Sequence, residues 1–337
     1  METMIKKIRF SILRALLVLG FAAHAPAGHA QSIALTMVHG APVDHPVNLA
    51  ALQFAKHVER RTGGQIKVEV YPANQLGSPS EQLQKVKLGT VDMALPSQGD
   101  LSKYEKAFSV VLLPYVFDSY EHAHRVLDGP AMAWLAPLAE KQGFILLNNW
   151  EWGFRNLTNN LRPINKPEDI RGLKVRVPPG IEYEATMEAL GGVITKISFA
   201  ELRPALAQGV VDGQETPISV IYFNKYYEVQ KHLALTRHVY YNFIHTINAR
   251  SWARLSPAQQ AIVREESKAT SDAVRKAIIT DEDALIAKLE RLGMQVTRPD
   301  LKAFRAMVEP ARKQISAHAG EANVQRFMKM AEDARKK

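Results

Sequence analysis

The run LSPAQQAIVREESKATSDAVRKAIITDEDALIAKLERLG, residues 255–293, holds about 35 consecutive positions after Pro257 with neither glycine nor proline. Ser256, Pro257 and Gln259 form a helix-start signal. The serine accepts from the third helical amide, the glutamine returns the bond, and proline sits where no backbone donor is needed. At 1.5 Å per residue such a helix is on the order of 50 Å long, beyond the reach of one small domain. Just before it, HVYYNFIHTINARSW (238–252) reads as a strand longer than usual. A long strand followed by a long helix, late in the chain, returns the chain to its first lobe and then braces two. The expected fold is α/β, a discontinuous two-lobe protein with a central cleft.

The chain upstream supports that reading. SIALTMVHG (32–40) reads as a strand, followed by a helix whose apolar positions 47, 50, 51, 54, 55 and 58 keep a helical period before Gly63-Gly64. QIKVEVY alternates as a half-buried strand, and SPSEQLQKVKLG opens with Ser78, Pro79 and Glu81 in a capping box. FILLNNW, GFRNLTN, LKVRVP and VITKI read as further strands, with helices in EYEATMEALGG, in SFAELRPALAQ and in PISVIYFNKYYEVQ. Strands alternating with helices argue for largely parallel sheets. No low-complexity linker separates two halves, so strands are expected to make the crossing between lobes.

At the N-terminus, METMIKKIR precedes ALLVLGFAA (15–23), an apolar stretch too short to span a bilayer, and then PAGHA with small Gly28 and Ala30. Residues 1–30 read as a cleaved signal peptide and the product as periplasmic, with no membrane insertion. Removing that leader takes four cations and one anion from a formal net charge of +9. The remaining positive charge is scattered rather than striped, which argues against nucleic acid and fits a binder of small anions. The absence of cysteine excludes disulfides, thiolate metal sites and cysteine nucleophiles.

Enzyme motifs are missing. There is no GxSxG, HExxH or Walker sequence, and His122 and His124, two apart on a helix, diverge. His39, Asp44 and His45 share one loop and are as readily turn residues as metal ligands. No cofactor and no metal is expected. Two arginines stand out instead, Arg155 in WGFRNLT and Arg176 in GLKVRVPPG, each on a short apolar strand. Arg176 is the last polar position before Pro178, near the carboxyl end of its strand, where α/β sheets gather ligands. Its planar fork matches a carboxylate with two parallel hydrogen bonds. A surface cation or an internal ion pair is the alternative for either residue.

In order along the chain, LPYVFDSYEHAHRVLDGP (113–130), GFRNLTNNLRPINKPEDIRGLKVRVP (153–178), ALAQGVVDGQE (205–215) and NKYYEVQKHLALTRHVY (224–240) resemble the solute-binding proteins of tripartite ATP-independent periplasmic (TRAP) transporters, DctP type. The resemblance covers nearly the whole mature chain. It implies two α/β lobes with the long helix spanning both: lobe I from 31–153 plus about 242–281, lobe II from 154–241 plus about 282–337. It further implies that Arg176 pairs with a ligand carboxylate and that Arg155 is a second cationic contact or holds the first. Phe199 would close over the ligand, and His39 and Glu81 would touch its variable end.

Each of these three has a plainer reading, as core, turn and cap residue respectively. Two positions depart from the family pattern: Thr216 stands where asparagine is usual, and Arg203-Pro204 replaces a pair commonly made of tyrosine and a hydroxyl residue. Pro204 is expected to kink its helix. The implied function is capture of a small organic acid and delivery to small and large TRAP membrane subunits for ion-gradient-driven uptake. An exported enzyme using His39 or Glu81 as base, and a binding protein for an ABC importer or sensor, are the alternatives. The ligand's identity and the choice between monomer and dimer stay open.

Overall fold

The long helix forms as its caps dictate. Ser256 and Gln259 close a reciprocal capping box, with the Ser256 amide donating to Gln259 Oε1 at 2.9 Å, and the helix runs 35 residues, Pro257–Arg291. In the computed structural model residues 32–335 are described, so the leader read at 1–30 lies outside them. From the start the order is β1 Ile33–Val38, α1 Pro46–Arg61, β2 Ile66–Tyr71, α2 Pro79–Leu88, β3 Met93–Ala94 and a short α3 Gln98–Leu101. Then come α4 Tyr120–Val126, α5 Met132–Lys141, β4 Phe144–Asn159, β5 Lys174–Val177, α6 Ile181–Ala189 and β6 Val193–Lys196. α7 Leu202–Ala207, β7 Gly213–Pro217, α8 Ile218–Phe223, β8 His232–Ala234, β9 Tyr240–Asn248 and α9 Ala249–Ala253 precede the long helix, α10. β10 Gln295–Thr297 and helices α11 Leu301–Met307, α12 Glu309–Ala319 and α13 Glu321–Arg335 complete the described chain.

FILLNNW and GFRNLTN, read as two strands, are one. β4 spans 16 residues and belongs to both halves of the sheet system. Its first part, Phe144–Phe154, pairs antiparallel with β9, while Arg155–Asn159 pairs with β7 and Leu157–Asn159 also with β8. The strand order is β2-β1-β3-β9-β4-β7-β5-β6, with β10 on β8. The sheets are therefore mixed rather than largely parallel. β5 runs parallel to β6 and β7, and β1 parallel to β3, but the shared centre is antiparallel because β9 returns directly alongside β4. The ladder between β4 and β9 shifts register at Glu151/Gly153. Gly153 has φ of +115°, a backbone state that disfavours any side chain, and the bulge bends β4 where it passes from one sheet to the other.

α10 packs along β4, α1 and α8 and is tied to several places on the way. Arg61 of α1 pairs with Glu265 and Glu266 at 2.6 and 3.0 Å. Ser271 donates to the Asn149 carbonyl of β4, and Arg275 makes a two-bond pair with Asp128 at 2.5 and 2.9 Å. Further along, Glu282 accepts from Tyr120 at 2.6 Å and pairs with Arg237, between β8 and β9, at 3.2 Å. α12 packs on α6 and on the 3-10 turn Lys106–Leu112, and α13 on α4. Ala311, Ile315, Phe327 and Ala331 thereby join Phe108, Phe117, Phe144 and Phe154 in one apolar core.

Pro204 does not kink its helix. α7 begins late, at Leu202, so Pro204 falls in its first turn, where a missing N–H is not needed. PISVIYFNKYYEVQ breaks after α8, with Lys225 at φ of 54° turning the chain into a short 3-10 segment. Trp150 is fully buried beside Phe54 and His245.

Where β7 crosses β4, Gly213 has no room for a side chain: a Cβ there would lie 2.1 Å from the Thr158 carbonyl oxygen and 2.9 Å from Asn159 Cβ. Gly213→Ala is expected to destabilise the fold by at least ~1–3 kcal/mol through overpacking. Thermal unfolding of the variant checks this, and an unchanged midpoint would contradict the tight crossing.

Candidate functional site

The parallel pairing of β5 with β7 places Arg176 opposite Gln214, so Thr216, two residues on, shares its face near the carboxyl ends of both strands. The antiparallel pairing of β4 with β7 sets Arg155 opposite Pro217 and Leu157 opposite Glu215, making Arg155 and Glu215 diagonal neighbours. These strand ends open on a cavity of about 140 Å³. Arg155, Arg176, Thr216 and Phe199 all line it, together with Trp152, Phe243, Tyr183, Tyr241, Pro178, Pro179 and a set of serines.

The two arginines are 2% exposed each but differ in what holds them. Arg155 is spoken for. Its Nε and Nη2 donate to both Glu215 carboxylate oxygens, Nη2 at 2.7 Å, and Nη2 also reaches the Glu215 carbonyl at 2.7 Å. Its guanidinium lies 4.9 Å from the centre of the Tyr183 ring and 4.5 Å from that of Tyr241. Burial works against the Arg155 charge, but the adjacent Glu215 overrides it and raises the pKa. Burial likewise works against the Glu215 carboxylate, yet Arg155 and the His238 Nε2 contact at 3.0 Å bring its pKa down to about 2.

Arg176 is different. Its Nε donates to the Ile197 carbonyl at 2.8 Å, which aims the fork, while Nη1 and Nη2 have no protein partner among the described residues. Burial pulls its pKa down to about 10, and the neighbouring Arg155 charge acts in the same direction. At neutral pH this is a protonated, desolvated cation short of a counter-charge, with two N–H groups free for a planar anion.

His39 and Glu81 are placed otherwise. His39 is fully buried; its Nδ1 accepts the Ala41 amide at 3.2 Å, and only its neighbour Gly40 reaches the cavity wall. Burial lowers its pKa to about 4, so the ring is neutral. Glu81 closes the α2 capping box, accepting from the Ser78 amide and hydroxyl at 2.7 and 2.8 Å. Ser78, Pro79 and Ser80, not Glu81, line the cavity. Among the described residues no group of three His, Asp or Glu side chains is arranged to hold a metal ion, and no helix is long and apolar enough to cross a membrane.

The sequence reading misses Glu215, Tyr183, Tyr241, Ser97 and Asp100. Glu215 was within reach, since it lies next to Thr216 on a strand and offers the anion an internal ion pair for Arg155 requires. The tyrosines carry no such signal, because their approach depends on β9 and α6 meeting in space.

Residues 37–318 match the family described as bacterial extracellular solute-binding protein, family 7 (DctP). The sialic acid-binding periplasmic protein SiaP of Vibrio cholerae is 32% identical over 282 residues, 83% of this chain and 88% of that protein. The C4-dicarboxylate-binding periplasmic protein DctP of Rhodobacter capsulatus is 32% identical over 300 residues, 86% and 89% of the two chains. A TRAP periplasmic solute-binding protein of Polaromonas sp. JS666, solved bound to D-erythronate, is 34% identical with a TM-score of 0.84, covering 88% of this chain and 98% of that one. With a matched segment spanning most of its length, its two-lobe α/β fold and a long bracing helix, the chain belongs to the DctP family of bacterial extracellular solute-binding proteins.

Proposed function

We propose that this protein captures a small organic acid outside the cytoplasm and delivers it to the small and large membrane subunits of a TRAP transporter. The observation that carries the reading is Arg176: a buried guanidinium with two undirected N–H pairs at the end of a small cavity. A ligand carboxylate supplies the missing counter-charge with bidentate geometry, and Thr216 offers a hydroxyl beside it. Arg155, already neutralised by Glu215, holds the aromatic wall and adds no net charge. The cavity is below the ~300–1,000 Å³ typical of sites for drug-sized ligands, which suits a small acid. Relatives that bind a sialic acid, C4-dicarboxylates and D-erythronate support the acid class.

Capture works by exchange of environment. In an open cleft Arg176 is hydrated; closing the lobes about an acid removes that water and strengthens the pair in a low-dielectric site. The residues an enzyme reading needs, His39 and Glu81, stand off the cavity wall, and each already accepts a backbone hydrogen bond.

Arg176→Lys is expected to weaken acid binding at least tenfold while leaving the thermal midpoint of the free protein nearly unchanged, since a point charge cannot form the two-bond pair. Calorimetric titration decides, and equal affinity in both proteins would remove the central claim. Glu215→Gln should instead lower stability by about 3–5 kcal/mol, because Arg155 is left buried without its anion. Since the folded-state pKa of Glu215 is depressed, its contribution is present above its ordinary pKa and lost as pH falls from 4.5 towards about 2. Melting curves across that window should fall less steeply for Glu215→Gln than for the native protein.

A further inference from the structure

The cavity is polarised. One end holds Arg176 and Thr216; another wall, built from α2 and the segment around α3, is made of Ser78, Ser80, Ser97, Gly99 and Asp100. Asp100 is buried, at 9% exposure. Its Oδ2 accepts from the Ser97 amide at 3.2 Å and hydroxyl at 2.7 Å, closing the cap of α3. Its Oδ1 has a weak contact from Ser80 Oγ at 3.3 Å, leaving acceptor capacity in the cavity. Lys103 approaches Oδ1 at 3.6 Å but does not line the cavity, and its ammonium donates to Ser80 Oγ. It is an ion-pair partner of Asp100 that stands outside the cavity lining.

A group docked on this wall meets hydroxyls and a carboxylate. At the start of α2 the Ser78 amide already donates to the Glu81 carboxylate, whose negative charge offsets positive potential at that helix end. A second ligand carboxylate here would face the like charge of Asp100, while Arg155, the other guanidinium on the cavity, is already held by Glu215. A bare methylene chain would leave the remaining acceptor capacity of Asp100 Oδ1 unused. A ligand hydroxyl can donate to Asp100 Oδ1, or to a lone pair of a wall serine whose own hydrogen is already committed to Glu81 or Asp100. Between the two ends, Trp152, Phe199, Phe243, Pro178 and Pro179 supply apolar walls for a short carbon chain.

Resting on the carboxylate-capture reading above, we infer that the ligand class is hydroxylated monocarboxylates: one carboxylate on Arg176, and a hydroxyl-bearing tail read by Asp100, which acts as the specificity-determining residue against dicarboxylates. The test is a titration of chain-length-matched acids: glycerate against malonate, erythronate against succinate, and gluconate against adipate. The native protein is expected to bind its best hydroxy acid at least tenfold more tightly than its best diacid. Asp100→Asn, which keeps the size and removes the charge, should reduce that ratio to below about threefold by improving diacid binding.

A diacid that binds the native protein as tightly as any hydroxy acid overturns the inference, as does an unchanged ratio in a folded Asp100→Asn protein. Arg176→Lys run on the same panel separates the two levels of argument. If it weakens every acid while the hydroxy-acid preference is absent, only the present inference falls. If no acid binds, or Arg176→Lys changes nothing, carboxylate capture falls with it. The native panel alone can overturn the inference, so it stays falsifiable even where a variant does not fold.

Discussion

Two guanidiniums share one small buried space, and only one of them is neutralised inside the protein. That asymmetry governs the rest of the site. Glu215, steadied by His238, cancels Arg155 and lets it serve as a flat platform between Tyr183 and Tyr241. Arg176 keeps its charge in a dry setting, where a cation without a counter-charge is unfavourable. Had neither been paired, mutual repulsion and burial would weigh on the fold. The strand registers produce this division, antiparallel between β4 and β7 for the pair and parallel between β5 and β7 for the free fork.

Local signals carried much of this in the sequence, and long-range contacts carried the rest. The capping boxes at Ser78 and Ser256 depend on residues three apart and form as read. The place of Arg176, near the carboxyl end of a strand that stops at prolines, was legible, and the side chain lies buried on the cavity wall there. The fusion of two short strands into β4 was not, since a glycine at the bulge reads as an interruption until β9 is seen pairing across it. The mixed direction of the sheets hides for the same reason: alternation along a strand says nothing of its neighbour's direction. Pro204 misleads by position, because a helix that starts one turn later absorbs it.

Asp100 shows a different limit. Its pairing with Ser97 satisfies a capping rule, and a residue with one adequate local role draws no attention to its place on a cavity wall. Glu81 is the converse. Its cap with Ser78 occupies the carboxylate outside the cavity, so the serines beside it, rather than the acid, form the wall. Both cases turn on which oxygen retains a free lone pair, and that is decided only in the folded arrangement.

β4 is one unbroken strand shared by both sheets, and α10 runs beside it, fastened near Asn149 and again near Arg237. Such a spine contains no slack tether, so the lobe closure proposed above would flex it as a leaf spring is flexed. In that proposal the spring constant and the affinity would be set against each other, elastic energy held in the closure being subtracted from, or added to, what the cavity would gain from an acid. Side chains on the outer edge of α10, away from the cavity lining, would thereby become part of the tuning of capture and release.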